Sequence, residues 1–135
     1  MIMEFAKNYE KYRWIFTSNK KLVIGGKSAE QNEKLIKEIL KSKKNFLVMH
    51  TAKPGSPFAV IVEKISKVKA KDLKEAAVFC ASYSQDYRDN KGDVLIHIFK
   101  TKDIYKRKGM KIGTFGVKKF KIITAKKEDI GRFRK

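Results

Sequence analysis

Residues 11–40, KYRWIFTSNKKLVIGGKSAEQNEKLIKEIL, pass from a strand period to a helix period within thirty positions and decide the architecture. In the first half Tyr12, Trp14 and Phe16 alternate with Arg13 and Ile15. Ser18-Asn19-Lys20 then turns the chain into a second apolar run, so the segment reads as a β-hairpin. Aromatics on an amphipathic strand face are read as core, although Tyr12, Trp14 and Phe16 could also stack bases on an open sheet. From Ser28 the spacing changes. Ala29, Asn32, Leu35, Ile36, Ile39 and Leu40 recur at helical intervals opposite Glu30, Lys34, Lys37, Glu38 and Lys41, which predicts an amphipathic helix ending near Ser42.

The same reading extends outward. "NFLVMH" and "FAVIVEKI" are strand-like and are separated by "TAKPGSP", where Pro54, Gly55 and Pro57 require a loop. A second helix is predicted from Asp72, capped through an Asp-x-x-Glu pattern to Glu75, and continuing through "LKEAAVFCASYSQDY". Its inner stripe is small (Leu73, Ala76, Ala77, Cys80, Ala81 and Ser84), so it should lie close against a sheet. "DVLIHIF" is another strand, "KTKDIYKRKGMK" a basic connection, "TFGVKKFKIIT" the last strand, and "KKEDIGRFRK" a frayed helix or coil. The expectation is an α+β fold, a mixed sheet with two principal helices in the order β-β-α-β-β-α-β-β. Residues 1–135 are read as one domain, frayed over 1–10 and 125–135.

Composition narrows the function. The 135 residues hold 33 Lys and Arg against 14 Asp and Glu, a formal charge of +19, while 42% are hydrophobic, enough for a core. A polyanion is the natural partner, and nucleic acid ranks first because neither helix pairs a basic face with the exposed Trp, Phe and Leu that membrane surfaces need. Lysine outnumbers arginine, so affinity should be directed at phosphates more than at base edges. No apolar run approaches the roughly 18 residues of a membrane span, the opening "MIMEFAKNYEKY" lacks a signal-like apolar segment, and the single cysteine, Cys80, suits a reducing compartment. A cytoplasmic location is expected.

The motifs point the same way. "GGKS" at 25–28 ends like a phosphate-binding P-loop, but that loop needs a glycine five residues before Gly26, where Lys21 stands. What remains is a strand-to-helix turn with Ser28 as N-cap and Gln31 closing a capping box. It is either a seat for one phosphate beside Lys27 or an ordinary turn. Asn32 lies on the buried stripe and needs a partner, most simply a backbone group of a neighbouring loop. His50, at a strand end, either contacts RNA or pins the adjoining loop. His97 reads as structural, Cys80 as a packed residue, and Tyr105, set among lysines, as a stacking residue. No nucleophile with its base, no metal cluster and no cofactor motif is legible, so catalysis, metal and cofactor are not expected.

Taken in order, "KYRWIFTSN…LVIGGKSAEQNEKLIKEIL", "MHTAKPGSPFAVI", "AAVFCASYSQDY" and "IGTFGVKKFKIIT" resemble the NFACT-R domain over nearly the whole chain. In large members this module accompanies an amino-terminal NFACT domain and a coiled coil, in ribosome-associated quality-control factors that engage the large ribosomal subunit and tRNA. The resemblance implies that Gly25, Gly26, Lys27, Asn32 and His50 form a shared site edge, with Gly55 in the adjoining loop. The chain departs from the large members at Ser28, where an acid is common, and at Ala52 and Pro54, where an acid and a second histidine stand.

The expected function is therefore a non-enzymatic module for tRNA or ribosomal RNA, serving translation, quality control or RNA modification, alone or with a partner protein. Its expected RNA-binding residues are Gly25, Gly26, Lys27, Asn32, His50, Lys53 and Gly55, then Lys100, Lys102, Tyr105, Lys106, Arg107, Lys108 and Lys111, with Lys118 and Lys119. The alternatives are an RNA-processing or RNA-modifying enzyme subunit using His50, or a DNA-binding protein.

Overall fold

The computed structural model describes residues 4–134. Residues 1–3 and 135 of the expected frayed ends lie outside the described residues. Helix α1 (Glu4–Lys7) leads to the hairpin β1 (Arg13–Phe16) and β2 (Leu22–Gly25), then α2 (Ala29–Ser42), β3 (Leu47–Thr51) and β4 (Ala59–Ile61). Next come α3 (Ala70–Ser82), α4 (Gln85–Asn90), β5 (Val94–Lys100), the small pair β6 (Ile104–Tyr105) and β7 (Gly116–Val117), β8 (Lys121–Ala125) and α5 (Lys127–Arg134).

The α+β class holds, but the sheet is antiparallel throughout, not mixed. Six strands follow the order β1-β2-β4-β3-β5-β8. The reason is an interleaving of two crossovers. Strands β2 and β3, joined by α2, run in the same direction with β4 between them; β4 and β5, joined by α3, do likewise with β3 between them. Parallel partners are thus never neighbours. Because the two crossovers start from oppositely directed strands and advance the same way, right-handed connection places their helices on opposite faces of the sheet.

The core divides accordingly. Val23, Met49, Ala59, Ile61, Ile96 and Ile98 pack under α3 and α5, where the small stripe Ala76, Ala77, Cys80 and Ala81 is buried as expected. Ile24, Val48, Val60 and Phe99 pack under Leu35, Ile36 and Ile39 of α2. The carboxy-terminal tail is helical to Arg134, and Ile130 is fully buried.

Three local expectations change. Helix α3 starts at Ala70, and Asp72 is not its cap: Asp72 Oδ2 accepts the Lys69 N–H at 2.9 Å, while Oδ1 accepts Thr17 Oγ1 at 2.7 Å and Asn19 Nδ2 at 3.2 Å. Glu75 takes the Ser18 N–H and hydroxyl at 2.7 and 2.6 Å, so both acids clamp the tip of the β1–β2 hairpin. Burial pushes the Asp72 carboxyl up, but these donors outweigh it and hold its pKa below the usual value. The long second helix breaks at Tyr83, where the Ser84 hydroxyl accepts the Tyr87 N–H and starts α4 separately. Finally, Tyr12 is buried but Trp14 and Phe16 are 41% and 51% exposed. They stand on an edge strand, beyond the reach of α2, in edge-to-face contact with each other and with Tyr9.

Lysines occupy the left-handed conformation at the hairpin tip (Lys20, φ 64°) and after the ends of α2 (Lys43, φ 61°) and α4 (Lys91, φ 54°).

Candidate nucleic-acid interface

A cleft of about 890 Å³ opens on the α2 side of the sheet, and the glycine turn forms one of its edges. The turn's geometry follows from its sequence. The Gln31 N–H donates to Ser28 Oγ at 3.1 Å, so Ser28 is the expected N-cap, but the expected capping box is only half formed: Gln31 Oε1 accepts the Lys27 N–H at 2.9 Å, one residue before the cap, and not the Ser28 N–H. This leaves the first-turn N–H groups of Ala29 and Glu30 without intrahelical partners, beside the exposed Lys27. Gly26 is required by a close approach: a Cβ there would stand 2.2 Å from Asn32 Oδ1. Asn32 Oδ1 accepts the Phe58 N–H at 3.1 Å, and its amide donates to the Ser56 carbonyl at 3.4 Å. Asn32 therefore fastens the 52–58 loop to α2, the backbone partner that its place on the stripe demanded.

That loop makes the second edge. Gly55, at φ 92°, rests on Gln85 and its carbonyl accepts the Gln85 N–H at 2.7 Å, tying the loop to the start of α4. Lys53 lies 3.7 Å from Asp86 and does not line the cleft. Gly25 does not line it either. Its Cα faces Pro57 and Phe79 in the interior, so its part is packing.

His50 and His97 form the floor, directly opposite each other in the β3–β5 register. His50 Nδ1 lies 2.8 Å from the Thr51 carbonyl and its ring tilts over Phe58, with centroids 4.5 Å apart. Donation from Nδ1 leaves Nε2 as an acceptor with no partner among the described residues. Burial, together with the neighbouring His97, lowers the His50 pKa against the opposing pull of the Thr51 carbonyl, and burial lowers that of His97. The floor is neutral near pH 7. His97 stacks on Phe120, with centroids 4.1 Å apart and planes 20° apart.

The third edge comes from the excursion between β6 and β8, held on α2 by Glu33. Its Oε1 accepts Lys106 Nζ at 3.0 Å and the Gly113 N–H at 2.7 Å, and its Oε2 pairs with Lys37 at 2.9 Å. Burial raises this carboxyl, but the three donors prevail and hold it at about 2. Ile112, Phe115 and Phe120 are thereby presented to the cleft, with Ile112 and Phe120 exposed.

The cleft thus unites Gly26, Lys27, Asn32, His50 and Gly55 and leaves most of the basic connection outside. Lys106 is engaged within the protein: all three of its ammonium hydrogens have acceptors there, at Glu33 and at the Lys111 and Thr114 carbonyls. Tyr105 is partly buried over Gly116, with the Arg107 guanidinium 4.9 Å from its ring centre. Lys100 and Lys102 stand at the other end of β5, near Leu47 and Asn45. Lys108, Lys111, Lys118 and Lys119 are exposed, the last three flanking the cleft-lining segment in sequence.

Sequence reasoning missed Arg13, Tyr83, Phe115 and Phe120 at this site. Arg13 lies 4.0 Å over the Tyr83 ring at the cleft margin. The usable signal was the "FGVKKF" spacing, two aromatics bracketing two lysines.

Burial drives the Cys80 thiol up to about 12 despite an opposing hydrogen bond from Ser56, so it is a packed group. No helix among the described residues is long and apolar enough to cross a membrane.

Comparison with known proteins adds independent observations. The family model described as the NFACT protein RNA binding domain matches residues 11–119. The ribosome quality control complex subunit NEMF homologue of Drosophila melanogaster is 32% identical over 77 residues, 56% of this chain. The chain spans only 8% of that relative's length. Among solved structures, the carboxy-terminal part of the fibronectin/fibrinogen-binding protein of Streptococcus suis superposes with a TM-score of 0.76 at 18% identity, covering 90% of this chain and 48% of the other. At that identity the likeness is one of fold.

Proposed function

Since the chain belongs to the NFACT RNA-binding domain family, we propose that it binds structured RNA, tRNA or ribosomal RNA, as a non-catalytic module of translation-linked quality control or RNA modification in the cytoplasm. The observation that carries this reading is the convergence of Gly26, Lys27, Asn32, His50 and Gly55 on one open cleft of a chain with formal charge +19. Lys27 and the first turn of α2 suit one phosphate, and Lys111, Lys118 and Lys119 extend the positive field. The quality-control setting is supported by the likeness to the Drosophila ribosome quality control complex subunit, of whose length this chain spans 8%.

His50 favours recognition over catalysis. Its Nδ1 is engaged by the Thr51 carbonyl, and among the described residues no nucleophilic side chain is hydrogen-bonded to it.

The test is titration of fluorescently labelled tRNA at about 50 and about 200 mM salt, with affinity falling steeply between them. Absence of a complex at the lower salt refutes the reading. RNA cleavage or ATP hydrolysis that disappears in a folded His50→Ala variant would replace it with an enzymatic one.

A further inference from the structure

The cleft has a chemistry that phosphate binding alone does not use. A seat for phosphates needs only polar and cationic groups, whereas this cleft adds aromatic side chains to its polar lining. His50 and His97 form the floor; Phe58, Phe99, Phe115 and Phe120 surround them, with Phe58 in edge-to-face contact with both Phe99 and Phe115. Two large apolar side chains remain open to solvent at this mouth, Ile112 at 61% and Phe120 at 49%. Exposed apolar groups beside a concave site mark a surface that something covers. Phe120 is stacked on His97 by one face, which leaves its other face for a further ring.

We propose that this cleft takes one unpaired nucleotide of RNA, its base stacked against the Phe115–Phe120 wall over the histidine floor and its phosphate at the Lys27 edge. The proposal rests on the RNA-binding reading and specifies what enters the site. The volume of about 890 Å³ falls within the range of small-ligand pockets and admits a nucleotide, while a paired base inside a duplex cannot reach the wall. Stacking is tolerant of base identity because every base offers a π-face, which accords with a lysine-rich protein that has few groups for reading base edges. The free acceptor at His50 Nε2 suits an exocyclic amine, giving adenine, cytosine or guanine an advantage over uracil.

The experiment uses the full chain with two RNA hairpins closed by the same non-nucleotide linker and differing by one nucleotide, one carrying a single bulged 2-aminopurine and one fully paired with 2-aminopurine in the stem. The bulged RNA should bind about tenfold more tightly, and its fluorescence should change on binding as the base exchanges solvent for a stack. Phe120→Ala, at an exposed position that preserves the fold, should reduce the preference to within twofold, and Phe115→Leu should reduce it partially. Equal affinity for both hairpins without a fluorescence change overturns the nucleotide pocket while leaving RNA binding intact. Binding of neither hairpin overturns both readings, and an undiminished preference in Phe120→Ala overturns the assigned wall.

Discussion

Lys106 and Glu33, 73 positions apart, form an ion pair with Nζ and Oε1 3.0 Å apart and both side chains largely withdrawn from solvent. The same ammonium donates to the carbonyls of Lys111 at 2.6 Å and Thr114 at 2.7 Å and lies 4.7 Å over the Phe115 ring, so it closes the excursion on itself and on α2.

Lys106→Ala should therefore act on the fold before it acts on RNA. Loss of a charged, partly buried network costs about 2 kcal/mol, visible as a melting temperature several degrees lower. Lys108→Ala, at an exposed position with no side-chain partner among the described residues, should leave the melt unchanged. Equal melting curves for the two variants would show that the network contributes nothing.

Glu33 makes stability depend on acid in a defined window. Its folded pKa of about 2 lies below its ordinary value near 4.5, so the folded state favours the charged form. The contribution is fully present above about pH 5 and is lost as pH falls from there through 2. Glu33→Gln should be less stable than the parent at pH 7, and the gap between their urea midpoints should close toward pH 2. A gap that persists at pH 2.5 unchanged from pH 7 would contradict the linkage.

At the glycine turn, charge and shape separate. Lys27→Ala should lower the magnitude of the slope of log affinity against log salt by about 1, similarly for unrelated RNA sequences. Gly26→Ala should act through the fold, since the added methyl meets Asn32 Oδ1 and, at 2.8 Å, the Asn32 backbone nitrogen. A loss on the order of 2 kcal/mol is expected from displacing the side chain that holds the 52–58 loop. Thermal melts beside RNA titrations distinguish the two effects.

Trp14 tests the edge strand. Truncating a core tryptophan costs roughly 3–5 kcal/mol, but a side chain 41% exposed and held by edge contacts with Tyr9 and Phe16 should cost only about 1 kcal/mol on Trp14→Ala. A chemical melt followed by circular dichroism reads the difference directly.

The contrast between Trp14 and Asn32 shows where sequence is legible. Asn32 lies in a helix whose period and capping residues are both local, so its burial and its need for a partner followed from positions 28–39. Trp14 lies in an alternating strand; alternation separates two faces but does not say which is covered, because the covering helices arrive from elsewhere in the chain. Asp72 misled for a related reason. An Asp-x-x-Glu pattern resembles an N-cap, whereas Asp72 stands at the third helical position, with one oxygen reaching back to the Lys69 N–H and the other serving Thr17 and Asn19 more than fifty residues away. Half the cleft could be named from Gly26, Asn32, His50 and Gly55 through family likeness. Phe115 and Phe120 were missed although the "FGVKKF" spacing hinted at them, since they reach the site through an aperiodic excursion fastened by Glu33.

The left-handed lysines carry a further consequence. A side chain at positive φ costs about 1 kcal/mol relative to glycine, yet Lys20, Lys43 and Lys91 all hold a cation where the backbone would relax around hydrogen. Conformational ease and attraction for polyanions thus compete residue by residue. Replacing these three lysines with glycine would yield a sturdier chain with a weaker field, a trade-off built into the places where hairpin and helices turn.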